Sequence, residues 1–253
     1  MHNKHPLKGK TIVLTGSKKT RSVLKTIEQL GAEGLPCSLI KTVELVDSND
    51  SIQLELAKTF DWLIFTSQNA VEAFCAKIKR HNLTPSLFKG KIAVVGSKTR
   101  DLLVNNGFNV DFVPSIYSAD VFVKEFPLLV KPNSKCLFVR GTKAKNTIRD
   151  GLPFDVNEWN VYTTVDNLDS IHQMINLIRH RKELIVIFAS PSAVEVYALH
   201  IAPHVGWEKV KIASIGHITS NALKKYDAHV SYQPKTYTME AVIEEIVKME
   251  GLS

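Results

Sequence analysis

Phe65-Thr-Ser-Gln-Asn-Ala-Val-Glu-Ala-Phe74 returns as Phe188-Ala-Ser-Pro-Ser-Ala-Val-Glu-Val-Tyr197, 123 residues further along the chain. Each copy begins at the end of a short apolar run, Trp62–Phe65 or Leu184–Phe188, and then switches to small polar residues. After the first, Val71, Phe74 and Ile78 recur at helical spacing, and Ser67 or Asn69 stands where a helix cap is expected. A second pair, Lys91-Ile-Ala-Val-Val-Gly96 and Lys211-Ile-Ala-Ser-Ile-Gly216, is offset by 120 and runs on: Thr99 aligns with Thr219, Leu103 with Leu223, Val110 with Val230, Pro114 with Pro234, Tyr117 with Tyr237 and Ser118 with Thr238. A weaker match sets Ile12-Val-Leu-Thr-Gly16 against Leu137-Phe-Val-Arg-Gly141. A period near 120 residues is far too long for a solenoid repeat. It reads as two similar α/β domains facing each other across a cleft.

The rest of the chain continues the alternation. Thr11-Ile-Val-Leu14 precedes a helical stretch from about Arg21 to Leu30, closed by Gly31. The helix after Lys91–Val95 holds Leu102 and Leu103 and ends near Gly107, Cys136–Val139 leads into Arg140-Gly141, and the last helix runs from about Met239 to Met249. Strands apolar on both faces and separated by helices indicate buried parallel sheets with right-handed crossovers. The class is α/β, each domain a parallel sheet flanked by helices. In open parallel sheets, ligands sit beyond the carboxyl ends of the strands, and the repeated polar signatures all lie there.

Composition narrows the function. With 253 residues, 44% hydrophobic and 23% charged, the chain is globular rather than disordered or fibrous. No apolar run approaches the ~20 residues of a membrane span. Met1-His-Asn-Lys-His-Pro6 has no apolar core for a secretory signal. Cys37, Cys75 and Cys136 form no CxxC pair, which argues against a disulfide framework and a cysteine zinc site. A cytoplasmic protein is expected. The net charge of +7 attracts anions. The basic clusters are Lys18-Lys19 with Arg21, Lys143 with Lys145 and Arg149, and Arg179 to Lys182; they accompany no nucleic-acid motif, so no nucleic acid is expected as a partner. They are either solvated surface or a field for an acidic small ligand.

Thr66-Ser67-Gln68-Asn69, Ser190-Pro191-Ser192, Gly96-Ser-Lys-Thr99 and Gly216-His-Ile-Thr219 each follow a strand and open a helix. Free N–H groups at a helix start hold anions, and hydroxyls add donors. Four such corners suit a ligand with several carboxylates; equally, each Ser or Thr is what a plain N-cap requires. Other templates are missing: no GxSxG, no HExxH, no GxGxxG, and Gly9-Lys10-Thr11 has Lys4 where a phosphate loop needs Gly. His200 and His204 are separated by Pro203, which spoils a helical metal pair, and no metal is expected. Tyr162, in Trp159-Asn-Val-Tyr-Thr-Thr164, is either a proton donor or a packing aromatic at a hinge.

Taken in order, Phe65–Val71, Val95–Thr99, Val113-Pro114 with Tyr117-Ser118, Phe138–Gly141, Val161–Thr163, Phe188–Val194 and Ile215–Thr219 resemble the uroporphyrinogen-III synthase family of tetrapyrrole biosynthesis over nearly the whole chain. The resemblance implies two domains, residues 1–37 plus 167–253 and residues 42–160, joined by a two-stranded linker at about 38–41 and 161–166. It implies a cofactor-independent enzyme that takes linear hydroxymethylbilane, a polycarboxylate with four acetates and four propionates. The bilane loses its hydroxyl as water, ring D inverts through a spiro intermediate, and uroporphyrinogen III closes. By the same resemblance Tyr162 is the acid for hydroxyl departure. Thr99 and Thr219 are carboxylate donors, and Ser67, Asn69, Ser190 and Ser192 form the other corners. Tyr117 and Ser118 line the substrate, and Arg140 either pairs with a carboxylate or holds its domain together. A monomer is expected, with transient contact to the preceding deaminase. Two departures stand out. Thr15-Gly16-Ser17 replaces the family's frequent Thr-Arg-Pro, leaving Lys18, Lys19 or Arg21 to supply a cation, and His217 stands where Pro is common. The alternative is a tetrapyrrole-binding or sensor module with the same fold and no turnover.

Overall fold

The computed structural model describes residues 5–16 and 21–251. The strands are β1 (Thr11–Leu14), β2 (Glu33–Pro36), β3 (Ile40–Glu44), β4 (Trp62–Phe65), β5 (Lys91–Val94), β6 (Cys136–Gly141), β7 (Val156–Asp166), β8 (Leu184–Phe188) and β9 (Lys211–Ser214). They form two sheets, ordered β2-β1-β8-β9 and β3-β7-β6-β4-β5. The chain divides into two compact units, Met1–Lys41 with Val165–Ser253, and Thr42–Thr164. Both points of division fall inside strands, β3 and β7.

In the discontinuous unit, β1 pairs parallel with β2 and β8, and β8 pairs parallel with β9. Alternation along the strands sorts side chains to two cores. Ile12, Leu14, Ile185 and Ile187 pack under the helices Arg21–Gln29 and Met239–Glu250, through Val23, Ile27, Val242 and Ile246. Val13, Val186 and Phe188 pack with Ile171, Val194, Tyr197 and Leu223, from helices Leu168–His180, Pro191–His200 and His217–Lys224. Glu250 fastens the last helix beneath this sheet. Its carboxylate meets Lys10 at 2.5 Å and Lys211 at 2.7 Å, and accepts the Tyr232 hydroxyl.

In the continuous unit, β4 pairs parallel with β5 and β6, and β6 with β7. Leu63, Phe65, Leu137, Val139, Trp159 and Val161 face the helix Gln68–Arg80, where Phe74 touches four aromatic rings. Trp62, Ile64 and Phe138 face Phe122, Phe126 and Ile148. A buried charge sits in the first of these cores. Lys77, wholly inaccessible, reaches both Asp50 carboxylate oxygens at 2.7 Å and the Leu45 carbonyl. Glu44 lies 3.4 Å from Lys77 and accepts a two-pronged contact from Arg80 at 2.9 and 2.7 Å.

The repeat seen in the sequence is a repeat of hydrogen bonds. The Val94 N–H donates to Phe112 and the Ser214 N–H to Tyr232, both at 2.9 Å. Ser118 caps the helix Ala119–Glu125 through Val121 N–H, and Thr238 caps Met239–Glu250 through Ala241 N–H, both at 3.2 Å. Gly107 and Asp227, the matching helix-end positions, both have positive φ, 85° and 54°. The sheet order β7-β6-β4-β5 therefore corresponds to β2-β1-β8-β9. Chain order differs: the continuous unit runs β4 to β7, whereas the other opens with β1 and β2 and closes with β8 and β9. One unit is a cyclic permutation of the other.

Candidate active site

Polar residues collect at the carboxyl ends of the strands in each unit. In the continuous unit, β4 ends at Phe65 and the helix Gln68–Arg80 follows at once. Ser67 is its N-cap, accepting the Ala70 N–H at 3.2 Å, which settles the choice between Ser67 and Asn69 as the capping residue. Asn69 lies half-buried in the first turn. Capping does not exhaust Ser67, since a hydroxyl accepts and donates together. Its oxygen lies 3.1 Å from the Tyr162 hydroxyl.

Tyr162 reaches that position through an irregularity in β7. Arg140 pairs with Asn160, but the next residue of β6, Gly141, pairs with Tyr162, so Val161 is an extra residue. Such a bulge re-aims the side chains after it. Val161 points into the core and is fully buried, while Tyr162 is half-buried at the core's edge with its ring laid against Gly141. A methyl group at Gly141 would stand 2.6–2.8 Å from ring carbons Cε2 and Cε1. One step further out, the Thr142 and Thr163 hydroxyls meet at 2.7 Å.

The glycine corners differ in kind. Helices Ser97–Asn105 and His217–Lys224 both have glycine N-caps, Gly96 and Gly216, which offer no side-chain acceptor. The Thr99 N–H turns back to the Gly96 carbonyl at 3.1 Å, and the N–H groups ahead of it, with those that open His217–Lys224, are left for water or an anion. Thr99 and Thr219 are the third residues of these helices, 4% and 3% exposed, and among the described residues neither hydroxyl has a hydrogen-bond partner. Around Gly96 nothing would touch an added methyl group, whereas at Gly216 the Tyr237 ring would stand 2.8–2.9 Å from it. His217, the departure from the family pattern, lies exposed beside Tyr237, ring centres 5.3 Å apart. Ser190 caps Pro191–His200 through Ala193 N–H at 3.3 Å, and Ser192 is exposed in its first turn. Ser118 is likewise a cap, and Tyr117 beside it is 58% exposed.

Arg140 is expected either to pair with a substrate carboxylate or to hold its domain together. It is buried and its guanidinium is spent within its own unit, on Glu158, the Ala144 carbonyl and Asn146 Oδ1 at 3.3 Å. Of its two readings, holding the domain together is the one the geometry supports. Arg149 pairs with Asp150 and Arg181 with Glu33, so two of the basic clusters are partly neutralised. Ser17, Lys18 and Lys19 lie outside the described residues; Arg21 is exposed at the start of its helix. Burial pushes the thiols of Cys37, Cys75 and Cys136 up to about 11, so none is a ready thiolate nucleophile. Among the described residues no three His, Cys, Asp or Glu side chains gather as a metal site, and no helix is long and apolar enough to cross a membrane.

Fold and site together define a two-unit parallel α/β protein with hydroxyls and open helix starts at the ends of its strands, and a tyrosine fixed among them. Residues 22–244 match the family model described as uroporphyrinogen-III synthase HemD, and the chain belongs to the uroporphyrinogen-III synthase family. It is 30% identical over 239 residues to the chloroplastic uroporphyrinogen-III synthase of Oryza sativa, covering 91% of this chain and 77% of that one. It is 28% identical to the uroporphyrinogen-III synthase of Synechococcus elongatus, covering 94% of each. Its fold is similar to that of the Helicobacter pylori uroporphyrinogen-III synthetase (TM-score 0.63, 18% identity, 95% and 99% covered). It is also similar to a Thermus thermophilus uroporphyrinogen III synthase mutant (TM-score 0.58, 16% identity, 95% and 98% covered).

Proposed function

We propose that this chain converts linear hydroxymethylbilane to uroporphyrinogen III, with inversion of ring D and loss of water, and that it does so as a cytoplasmic, monomeric enzyme without metal or organic cofactor. Membership of the family supports the reaction, and the Tyr162 hydroxyl held 3.1 Å from Ser67 at the carboxyl ends of the strands supports its placement here. Tyr162 gives its proton to the departing hydroxyl. The C–O bond breaks, the pyrrole nitrogen lone pair forms the azafulvene cation, and water leaves. The cation is intrinsically reactive, so the protein's main task is to hold the bilane curled until the substituted carbon of ring D attacks. The carboxylates are taken by the open helix starts at Gly96 and Gly216, with Thr99 and Thr219, and by the corners of Ser190 and Ser192. The crossing strands β3 and β7 serve as the linker on which the two units move as substrate enters and product leaves.

The test is to mix the purified protein with freshly prepared hydroxymethylbilane, oxidise the product and separate the uroporphyrin isomers. The type III isomer is expected to dominate; type I alone, the product of unassisted closure, overturns the assignment in favour of a binding module. Tyr162→Phe should lower turnover about a hundredfold without abolishing it, and unchanged turnover removes Tyr162 from the acid role.

A further inference from the structure

The two units serve as internal controls for one another, and the comparison isolates what is special to the Tyr162 corner. Ser67 and Ser190 occupy matching positions and do the same structural work, each capping its helix through the N–H three residues on. Ser190 has no second side-chain partner among the described residues, whereas Ser67 has Tyr162. Gly16 and Gly141 also match. A methyl group at Gly16 would meet one atom, Ala189 Cβ, at 3.2 Å, while at Gly141 it would run into the tyrosine ring itself. The bulge at Val161, the bare surface of Gly141 and the hydroxyl of Ser67 therefore add to the cap a feature that the cap does not need.

We infer that Ser67 is not a substrate-carboxylate donor but the positioning residue for Tyr162, with Gly141 as the floor on which the ring rests. The inference rests on the proposed acid role of Tyr162. Either hydroxyl can donate across the 3.1 Å contact; with its oxygen already accepting the Ala70 N–H, Ser67 is assigned as the donor to the Tyr162 oxygen. That leaves the tyrosine O–H free to face the substrate hydroxyl. When the proton passes to the leaving hydroxyl and water departs, the electron pair left on the phenolic oxygen is held by the Ser67 O–H, a charge-assisted bond stronger than the neutral one it replaces. The ring carbon that loses its proton at closure returns one to Tyr162, so the enzyme ends as it began.

Steady-state kinetics on three backgrounds test this. Ser67→Gly removes the hydroxyl but keeps a residue acceptable at an N-cap. It should lower kcat about tenfold with KM little changed, and the thermal midpoint should stay within a few degrees of the parent. Ser67→Thr, which retains cap and hydroxyl, should keep kcat within about threefold. In a Tyr162→Phe background, Ser67→Gly should lower kcat no further, because its partner oxygen is gone. A rise in KM with kcat unchanged would overturn the inference and return Ser67 to carboxylate binding; so would an undiminished effect in the Tyr162→Phe background. Failure of the underlying reading is separately visible, as a Tyr162→Phe enzyme that turns over at the parental rate.

Discussion

Lys77 offers a sharp test of how the continuous unit is held together. It is a wholly buried ammonium whose nitrogen meets two Asp50 oxygens at 2.7 Å and the Leu45 carbonyl, with the Trp159 ring centre 5.7 Å away. Asp50 is itself only 2% exposed. In Lys77→Met the Asp50 carboxylate keeps the Asp47 N–H at 3.2 Å and the Arg80 guanidinium at 3.8 Å, while the Glu44 carboxylate, which sat 3.4 Å from the lost ammonium, now faces it without that cation between them. Stranding one member of a buried pair costs about 3–5 kcal/mol. Removing both, in Lys77→Met with Asp50→Leu, leaves chiefly an unpaired Leu45 carbonyl and should cost about 1–3 kcal/mol. The double variant should thus be more stable than Lys77→Met alone. With a urea slope of about 2 kcal/mol per molar for a unit of this size, the Lys77→Met midpoint should fall by about 2 M. The assay is urea unfolding followed by tryptophan fluorescence in a Trp207→Phe background, which confines the signal to Trp62 and Trp159, both in Thr42–Thr164. A midpoint within about 0.3 M of the parent, or a double variant weaker than the single one, would refute the reasoning.

Two further outcomes are expected. Gly141→Ala should displace the Tyr162 ring and lower kcat about tenfold or more, with the type I isomer rising as enzymatic closure slows; isomer analysis beside a thermal melt separates this from unfolding. Burial alone would raise the Glu250 carboxyl, but hydrogen bonds from Lys10, Lys211 and Tyr232 outweigh it and hold the group at about 2. Its stabilising contribution, about 2 kcal/mol, is then complete above pH ~4.5 and withdrawn as the pH falls towards 2. Glu250→Gln should be less stable at neutral pH and should lose less stability than the parent between pH 5 and 2, as read by denaturant midpoints across that range.

Much of the fold was legible because local signals agreed with it. The β-branched apolar runs of β1, β4, β5, β8 and β9 are buried on both faces, as helix-covered parallel strands must be, and the glycines and hydroxyls that punctuate them are the turns and caps expected. What stayed hidden depends on distant partners. Glu33–Pro36 is a strand only because β1 pairs with it; its residues are half-exposed and carry no alternation. The helix Asp50–Ala57 buries an aspartate, a pattern that makes sense only once Lys77 arrives from another helix. At the site, the hydroxyl-rich corners could be read directly. The meeting of Ser67 with Tyr162 could not, because it turns on one extra residue in β7 and on the missing side chain of Gly141. Arg140 kept two readings for a related reason: an arginine after a strand looks the same in sequence whether it faces a ligand or Glu158.

The cyclic permutation has a consequence for how the chain is made. A ribosome delivers residues in order, and Thr42–Thr164 has its own five-stranded sheet in hand, apart from the start of β3 and the end of β7, once Thr164 has emerged. β1 comes out before that whole unit yet finds its central neighbour, β8, only after Leu184. During that interval four residues destined for complete burial, Thr11-Ile-Val-Leu14, have no sheet to join beyond β2. Long-range parallel pairing of this kind is slow to close and leaves an open edge in the meantime. β1, made before the continuous unit, therefore completes its sheet after that unit, and the nascent chain's exposure to aggregation is concentrated in β1.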